Sequence, residues 1–325
     1  MRKSLSRHVA TAATIFTLSL CGQAVAQSDY PTKPIRLLVG FSAGGSNDLI
    51  GRMFATKLSD LLGKQVVVEN KPGAGGIVAS EIVATAPGDG YTLMVVSIAH
   101  TANPGLYKLK YDTKKDFTPI AQLGTGVSVL AVNPSVPAKS VAELLALARK
   151  SPGSLLMAHA GIGTFQHMAA SQMINIAKID VVLVPFKGGG PATIDVVGGH
   201  TQIAIFTAVQ VMGHMQSGKL RALAVGSSTR NASFPDLPTM SEAGIPGYEA
   251  DNWWGIVGPA GIPKPIVDRL ASEIATVQKM SDIKVALERE GAEPVTKGPA
   301  EFDKFLASEL AKWTKVIADA KIVLQ

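Results

Sequence analysis

Short apolar runs alternate along the chain with longer segments in which apolar residues recur every three or four positions. The short runs lack polar alternation and are typical of strands buried on both faces, whereas the longer segments have the spacing of amphipathic helices. The pattern predicts strands at 35–39, 65–69, 91–97, 127–132, 155–159, 181–185, 202–206, 220–225 and 252–257. It predicts helices at 48–62, after 76, at 140–149, from 164, from 191 and up to 217, and three helical segments that close the chain, the last at 299–320. Between 97 and 127 it predicts a loop rich in Pro, Gly and Lys. This order of strands and helices indicates an α/β fold.

The N-terminus has the pattern of a secretory signal peptide. Arg2, Lys3 and Arg7 precede an apolar stretch at 9–20, and Ala24-Val25-Ala26 follows as an A-x-A cleavage site. The apolar stretch is shorter than the roughly 20 residues that span a bilayer. We therefore expect export, with cleavage after Ala26. Lipidation at Cys21 is an alternative, although Leu20 stands where a lipobox carries a small residue.

The exported chain has little excess charge and no cysteine. The leader carries three of the 31 basic residues, which leaves 28 against 25 acidic residues and a net charge of +3. This near balance argues against a nucleic-acid partner. Cys21 leaves with the leader, and His159 and His167 do not have the spacing of zinc ligands. We expect neither a metal nor a cofactor.

The strand at 35–39 runs into Gly40-Phe41-Ser42-Ala43-Gly44, a match to G-x-S-x-G. On a strand-to-helix turn this motif is the nucleophile elbow of serine hydrolases. Here the turn lies near the start of the exported chain, without the earlier strand and loop that complete an oxyanion hole. A hydrolase with Ser42 as nucleophile is therefore disfavoured, although the motif alone does not exclude it.

The same turn also fits an anion-binding cradle. Gly44, Gly45 and Ser46 lead into a helix whose first N–H groups lack intrahelical acceptors and whose dipole favours negative charge. Glycine-rich turns recur before helices at 160–164 and 187–191. Because ligands of open α/β sheets bind outside the carboxyl ends of strands, we expect these turns to face one cleft.

Six segments carry a resemblance to a known family: Y-P-T-K-P-I at 30–35, V-G-F-S-A-G-G-S-N-D at 39–48, V-E-N-K-P-G-A-G-G at 68–76, P-F-K-G-G-G-P-A at 185–192, L-P-T-M-S-E-A-G at 237–244 and G-P-A-G-I-P at 258–263. In this order they resemble the Bug/TctC family, the extracytoplasmic receptors of tripartite tricarboxylate transporters. The resemblance covers essentially all of the exported chain.

The resemblance implies a two-lobe periplasmic-binding-protein fold of the type II kind, with the ligand cleft between the lobes. We place lobe one at 27–126 plus 226–325 and lobe two at 127–225. It further implies a periplasmic monomer, without catalytic activity, that binds a small carboxylate and delivers it to membrane permease subunits. A ligand sensor with a signalling partner remains an alternative, and the identity of the ligand stays open.

In the family, backbone groups and water at two loops hold the carboxylate. The corresponding loops here are 41–48 and 161–167, with 188–190 near the second. The predicted ligand-binding residues are Phe41, Ser42, Ala43, Gly44, Gly45, Ser46, Asp48, Ser97, Thr101, Gly161, Gly163, Thr164, His167, Gly188, Gly189 and Thr207. The chain departs from the usual pattern at Gly40 and Ser42, at Thr207, and at His100, which stands in a run that is richer in Ser and Thr in relatives.

Overall fold

The computed structural model describes residues 29–289 and 291–319. Its strands are β1 (Ile35–Val39), β2 (Val66–Asn70), β3 (Thr92–Val96), β4 (Phe117–Gly126), β5 (Ser128–Val132), β6 (Leu156–His159), β7 (Val182–Pro185), β8 (Ile203–Thr207), β9 (Arg221–Val225), β10 (Asn252–Pro259) and β11 (Ala292–Lys297). Its α-helices are α1 (Ser46–Leu62), α2 (Ile77–Ala84), α3 (Ile98–Leu106), α4 (Val141–Lys150), α5 (Phe165–Ala177), α6 (Gly189–Gly198), α7 (Ala208–Gln216), α8 (Lys264–Lys279), α9 (Ser281–Arg289) and α10 (Pro299–Asp319). The predicted signal peptide and Cys21 lie outside the described residues.

The strands form two mixed sheets, one in each lobe. The first has the order β11-β4-β10-β3-β1-β2, and the second has the order β7-β6-β8-β5-β9. In the first sheet β1 pairs in parallel with β2 and β3, whereas β10 is antiparallel to β3 and β4. In the second, β6 is parallel to β7 and β8, and β5 is antiparallel to β8 and β9. The predicted two-lobe α/β fold is confirmed.

The chain passes between the lobes at two neighbouring places. Strand β4 continues into β5 around residue 127, and the return segment connects β9 to β10. The two connections are hydrogen-bonded to each other, because Ser128 Oγ donates to Ala250 O at 2.6 Å and Ser128 N donates to Asp251 Oδ1 at 3.0 Å. Two adjacent, hydrogen-bonded connections are suited to act as a hinge between the lobes. The exact residues at which each lobe begins and ends remain a prediction.

Local sequence signals account for several helix ends. Helix α1 buries Ile50, Phe54 and Leu58 at four-residue spacing and ends at Gly63, whose φ of 64° favours glycine. The N-cap expected before α4 is confirmed, because Ser140 Oγ accepts from Glu143 N at 3.2 Å. The other half of the expected capping box differs, since Glu143 Oε2 accepts at 2.6 Å from Lys139 N, one residue before the N-cap.

Three elements differ from the sequence prediction. Helix α3 contains Pro104 and Gly105, so its composition predicted a loop. Strand β4 contains Pro119, Gln122 and Gly124 and has no continuous apolar run. Strand β11 is similarly polar. Both strands form because they pair with each other, and β4 also pairs along the full length of β10.

The two adjacent tryptophans of β10 project to opposite faces of the first sheet. Trp253 packs with Phe302 and Phe305, and its Nε1 donates to Glu309 Oε2 at 2.9 Å. Trp254 is fully buried on the other face, beneath the start of α1. Both therefore pack in the core, as buried strand residues do. No helix among the described residues is long and apolar enough to cross a membrane.

Candidate ligand-binding site

A cavity of about 290 Å³ lies between the lobes, beyond the carboxyl ends of β1, β3, β6 and β7. We call it the cleft cavity. Its lining residues come from both lobes and are Phe41, Gly45, Ser46, Asn47, Ser97, Ala160, Thr164, Phe165, Gln166, Gly189 and Asn252. This position, outside the carboxyl ends of strands, is where open α/β sheets bind ligands.

Four helices begin at the cleft cavity. Ser46 is the first residue of α1, Ser97 is the N-cap of α3, Phe165 is the first residue of α5, and Gly189 is the first residue of α6. Each terminus presents N–H groups without intrahelical acceptors and the positive end of a helix dipole. None of the lining residues carries a formal charge. The cavity therefore offers positive potential through backbone groups from both lobes.

The Asp48 carboxylate organises the first loop. Its Oδ2 accepts from Gly44 N at 3.0 Å, and its Oδ1 accepts from Arg52 Nε at 3.0 Å and from Asn70 Nδ2 at 2.9 Å. Asn70 Nδ2 also donates to Phe41 O at 3.0 Å. Burial alone would raise the pKa of Asp48, but these hydrogen bonds hold that pKa below its ordinary value. Asp48 thus faces away from the cleft cavity and holds the loop in place.

Replacing Asp48 with alanine is expected to lower the free energy of unfolding by about 2–3 kcal/mol. The reason is that Gly44 N, Arg52 Nε and Asn70 Nδ2 all lose the carboxylate to which they donate. Ligand binding should weaken as well. The control is E69A, which breaks the partly exposed ion pair between Arg36 and Glu69 (2.7 Å) and should cost less than about 1 kcal/mol. Urea unfolding compares the two variants, and equal losses would contradict this role for Asp48.

The second loop is held by two buried histidines. Gly161 N donates to His159 Nδ1 at 3.2 Å, Gly163 N donates to His167 Nδ1 at 3.4 Å, and the two imidazole centroids are 4.8 Å apart. Burial lowers the pKa of each imidazole to about 4, so both rings are neutral acceptors at neutral pH. These two N–H groups are therefore engaged within the loop, and the start of α5 faces the cavity.

The glycine-rich loops also contact each other across the cleft. Ser42 donates to Lys187 O through both its N–H (3.2 Å) and its Oγ (2.9 Å). A methyl group on Gly190 would overlap Ala43 O, and one on Gly188 would lie 2.7 Å from Ser42 N. The backbones of the two loops come so close that only glycine fits at positions 188 and 190 of lobe two. The contact between the loops places the lobes in a closed arrangement. Ser42 Oγ donates to a backbone carbonyl here, and among the described residues it has no histidine partner.

The structure brings part of the predicted set to the cleft cavity. The lining includes Phe41, Gly45, Ser46, Ser97, Thr164 and Gly189. Ser42, Ala43, Gly44, Gly163 and Gly188 lie at contacts between the lobes. Gly161 lines an adjoining interlobe cavity of about 540 Å³ that shares Phe41 and Ala160 with the cleft cavity.

Four predicted residues lie outside this lining. Asp48 and His167 support the two loops, Thr101 Oγ1 donates to Ile98 O at 3.0 Å, and Thr207 Oγ1 lies 3.5 Å from Asn252 Nδ2. Their roles in ligand binding remain predictions.

Five lining residues were absent from the predicted set: Asn47, Ala160, Phe165, Gln166 and Asn252. Asn47, Phe165 and Gln166 lie in the first turns of helices that follow glycine-rich loops. The predicted start of these helices was therefore enough to include all three among the candidate ligand-binding residues. Asn252 follows no motif and reaches the cavity only because β10 pairs beside β3. Its Oδ1 is buried without a partner among the described residues.

Comparison with known proteins agrees with this geometry. Residues 50–322 match the family model described as the tripartite tricarboxylate transporter family receptor (TctC). The chain belongs to this family. Its members are periplasmic solute-binding receptors, and the two lobes superpose on their fold.

Three solved structures illustrate the similarity. The periplasmic binding protein BugD is 30% identical with a TM-score of 0.88, over 91% of this chain and 100% of that chain. R. palustris Rpa4515 with adipate is 31% identical with a TM-score of 0.88, over 90% and 99% of the two chains. MatC from Rhodopseudomonas palustris with bound malate is 31% identical with a TM-score of 0.85, over 89% and 100%.

Proposed function

We propose that this chain is a periplasmic receptor that binds a small carboxylate between its lobes and delivers it to the permease subunits of a tripartite transporter. The observation that carries the proposal is the convergence of four helix N-termini from both lobes on one cavity without charged lining residues. The proposal includes export with cleavage after Ala26, action as a monomer and binding without catalytic turnover.

A carboxylate suits this cavity better than a neutral or cationic group. Hydrogen bonds to a charged acceptor contribute about 1.5–3 kcal/mol each, and a partly buried helix terminus adds up to about 2 kcal/mol for an anion. The Asn252 amide lies beside Thr207 Oγ1, a hydroxyl that can donate or accept, so either end of the amide can face a ligand. Two solved relatives contain the dicarboxylates adipate and malate, which supports the same class.

Ligand binding is expected to favour the closed arrangement of the lobes. A ligand shifts this equilibrium only to the extent that it contacts the closed form better than the open form. Here Ser46 and Ser97 of lobe one and Thr164 and Gly189 of lobe two line the same cavity. A carboxylate placed between them gains contacts from both lobes only on closure, and a permease can then recognise the loaded form.

Thermal unfolding of residues 27–325 tests the proposal against mono-, di- and tricarboxylates, amino acids and aromatic acids. A ligand at about 100 times its Kd stabilises the folded state by about 2.7 kcal/mol, which corresponds to a shift in Tm of a few degrees. The matched controls are the amides of the same acids, in which every carboxylate is replaced by an uncharged amide. The proposal predicts shifts with some carboxylates and none with their amides. Equal shifts with acids and amides, or no shift with any carboxylate, would contradict it.

A further inference from the structure

A second cavity adjoins the cleft cavity inside lobe one. It comprises about 210 Å³ of space, part of it open to solvent, and it shares Phe41, Asn47 and Ser97 with the cleft cavity. We call it the inner cavity. Its far side is formed by the first turns of α3, including His100 and Asn103. A ligand held at the start of α1 therefore has a neighbouring space into which a substituent can extend.

His100 is one of the residues that line this space. The residue is only 3% exposed, and neither Nδ1 nor Nε2 has a hydrogen-bond partner among the described residues. Its ring packs edge-on against Phe117, with centroids 4.8 Å apart. Burial lowers the pKa of His100 to about 4, so the imidazole is neutral at neutral pH and has one N–H donor and one lone-pair acceptor.

Asn103 adds a second unpaired acceptor. Its Nδ2 donates to Gly75 O at 3.0 Å, whereas its Oδ1 has no partner among the described residues, and the side chain is buried. Buried polar groups without partners are rare and destabilising in folded proteins. The lining of the inner cavity therefore includes one donor and two acceptors that have no hydrogen-bond partner among the described residues.

We propose that the inner cavity is a specificity subsite for an uncharged hydroxyl group of the carboxylate ligand, which pairs with His100. This inference rests on the proposed carboxylate-binding function. A hydroxyl can accept from the imidazole N–H or donate to the imidazole lone pair, one at a time, because the two ring nitrogens point in different directions. While it accepts from the N–H, the hydroxyl can donate to Asn103 Oδ1. A second carboxylate only accepts and would face the lone pairs of two acceptors. An alkyl group would leave all three groups unpaired.

The test compares acids that differ by one hydroxyl: propionate with lactate, succinate with malate, and butyrate with its 2-, 3- and 4-hydroxy derivatives. Isothermal titration of the purified protein measures each Kd at pH 7.5. We expect at least one hydroxy acid to bind about tenfold or more tightly than its parent, because binding the parent leaves buried polar groups unpaired.

Two variants of His100 test whether this residue causes the preference for hydroxy acids over their parent acids. H100L removes both nitrogens and should reduce the preference for the hydroxy acid over its parent to about twofold. H100N retains a donor and an acceptor and should keep part of the preference. An unchanged preference in H100L would overturn the proposal.

If the variants fold poorly, the comparison of parent and hydroxy acids on the wild-type protein still tests the proposal. Parent and hydroxy acids that bind equally would overturn this inference and leave the carboxylate receptor in place, with the inner cavity holding only water. No binding by any acid of the series would overturn this inference, whereas the proposed carboxylate receptor is overturned only by the absence of a shift across the wider thermal-unfolding panel.

Discussion

Replacing Gly190 with alanine is expected to weaken carboxylate binding by about 100-fold while leaving the fold of each lobe intact. The added methyl would overlap Ala43 O in the opposite lobe. A backbone carbonyl cannot move aside as a flexible side chain can, so the lobes must stay further apart. Overlap in a packed contact costs about 1–3 kcal/mol, and each 1.4 kcal/mol corresponds to about tenfold in Kd. Titration with the carboxylate that gives the largest thermal shift measures the effect.

The matched control is Gly213, which lies within α7 and has nothing within 4 Å of an added Cβ. G213A should bind the ligand as the wild type does and gain up to about 1 kcal/mol of stability, since alanine is the better helix former. Small-angle scattering gives a second measurement. Wild type and G213A should contract on ligand addition, whereas G190A should not. Equal affinity in the two variants would show that the contact between Gly190 and Ala43 does not limit closure.

The protein is expected to lose several kcal/mol of stability between pH 6.5 and pH 4. Burial lowers the pKa of His100, His159 and His167 to about 4 in the folded state, against an ordinary value of 6.5. Between these values the unfolded chain binds a proton at each position and the folded chain does not. Stability therefore falls as the pH decreases.

Asp251, near the hinge, opposes part of this loss. Burial raises its pKa to about 6 from 3.8, so the folded chain holds a proton there that the unfolded chain lacks. The contribution of Asp251 to stability is present at low pH and is lost as the pH rises through about 6. Near pH 5, unfolding takes up about three protons at the histidines and releases about one from Asp251. The net uptake on unfolding is therefore about two protons.

A net uptake of about two protons gives a slope of roughly 2.7 kcal/mol per pH unit. Because the total stability of a domain is about 5–15 kcal/mol, partial unfolding is expected near pH 4. Urea unfolding at half-unit steps of pH measures the slope, and H100L should lower the uptake by about one proton. A free energy of unfolding that is the same at pH 7 and pH 5 would show that these imidazoles are accessible to protons in the folded protein.

Much of the fold could be predicted from local sequence. The strand at Ile35–Val39, the helix that ends before Gly63 and the N-cap at Ser140 all depend on contacts within a few residues. The glycine-rich turns were equally visible, and their position after strands and before helices was enough to predict that they meet at one cleft.

The roles within those turns depend on tertiary structure. Sequence reasoning placed Ser42, Gly188 and His167 with the ligand, and this remains a prediction. The structure adds that Ser42 and Gly188 lie in a contact between the lobes and that His167 Nδ1 accepts from Gly163 N. The hydrogen-bond partner of an N–H group or a hydroxyl depends on which segments, distant in sequence, pack beside it. Such packing produces no periodic pattern in the sequence, so it could not be predicted.

The sequence by itself determined the α/β class, the order of most elements and the family resemblance, because each follows from periodicity, turn residues or contiguous motifs. Export remains a prediction from the N-terminal pattern. Only the tertiary structure decided that polar β4 and β11 are strands, that Asn252 reaches the cleft, and that His100 and Asn103 line the inner cavity. These features arise from pairing and packing between residues that are far apart in the chain, and the free energy of such contacts is not encoded in any local pattern.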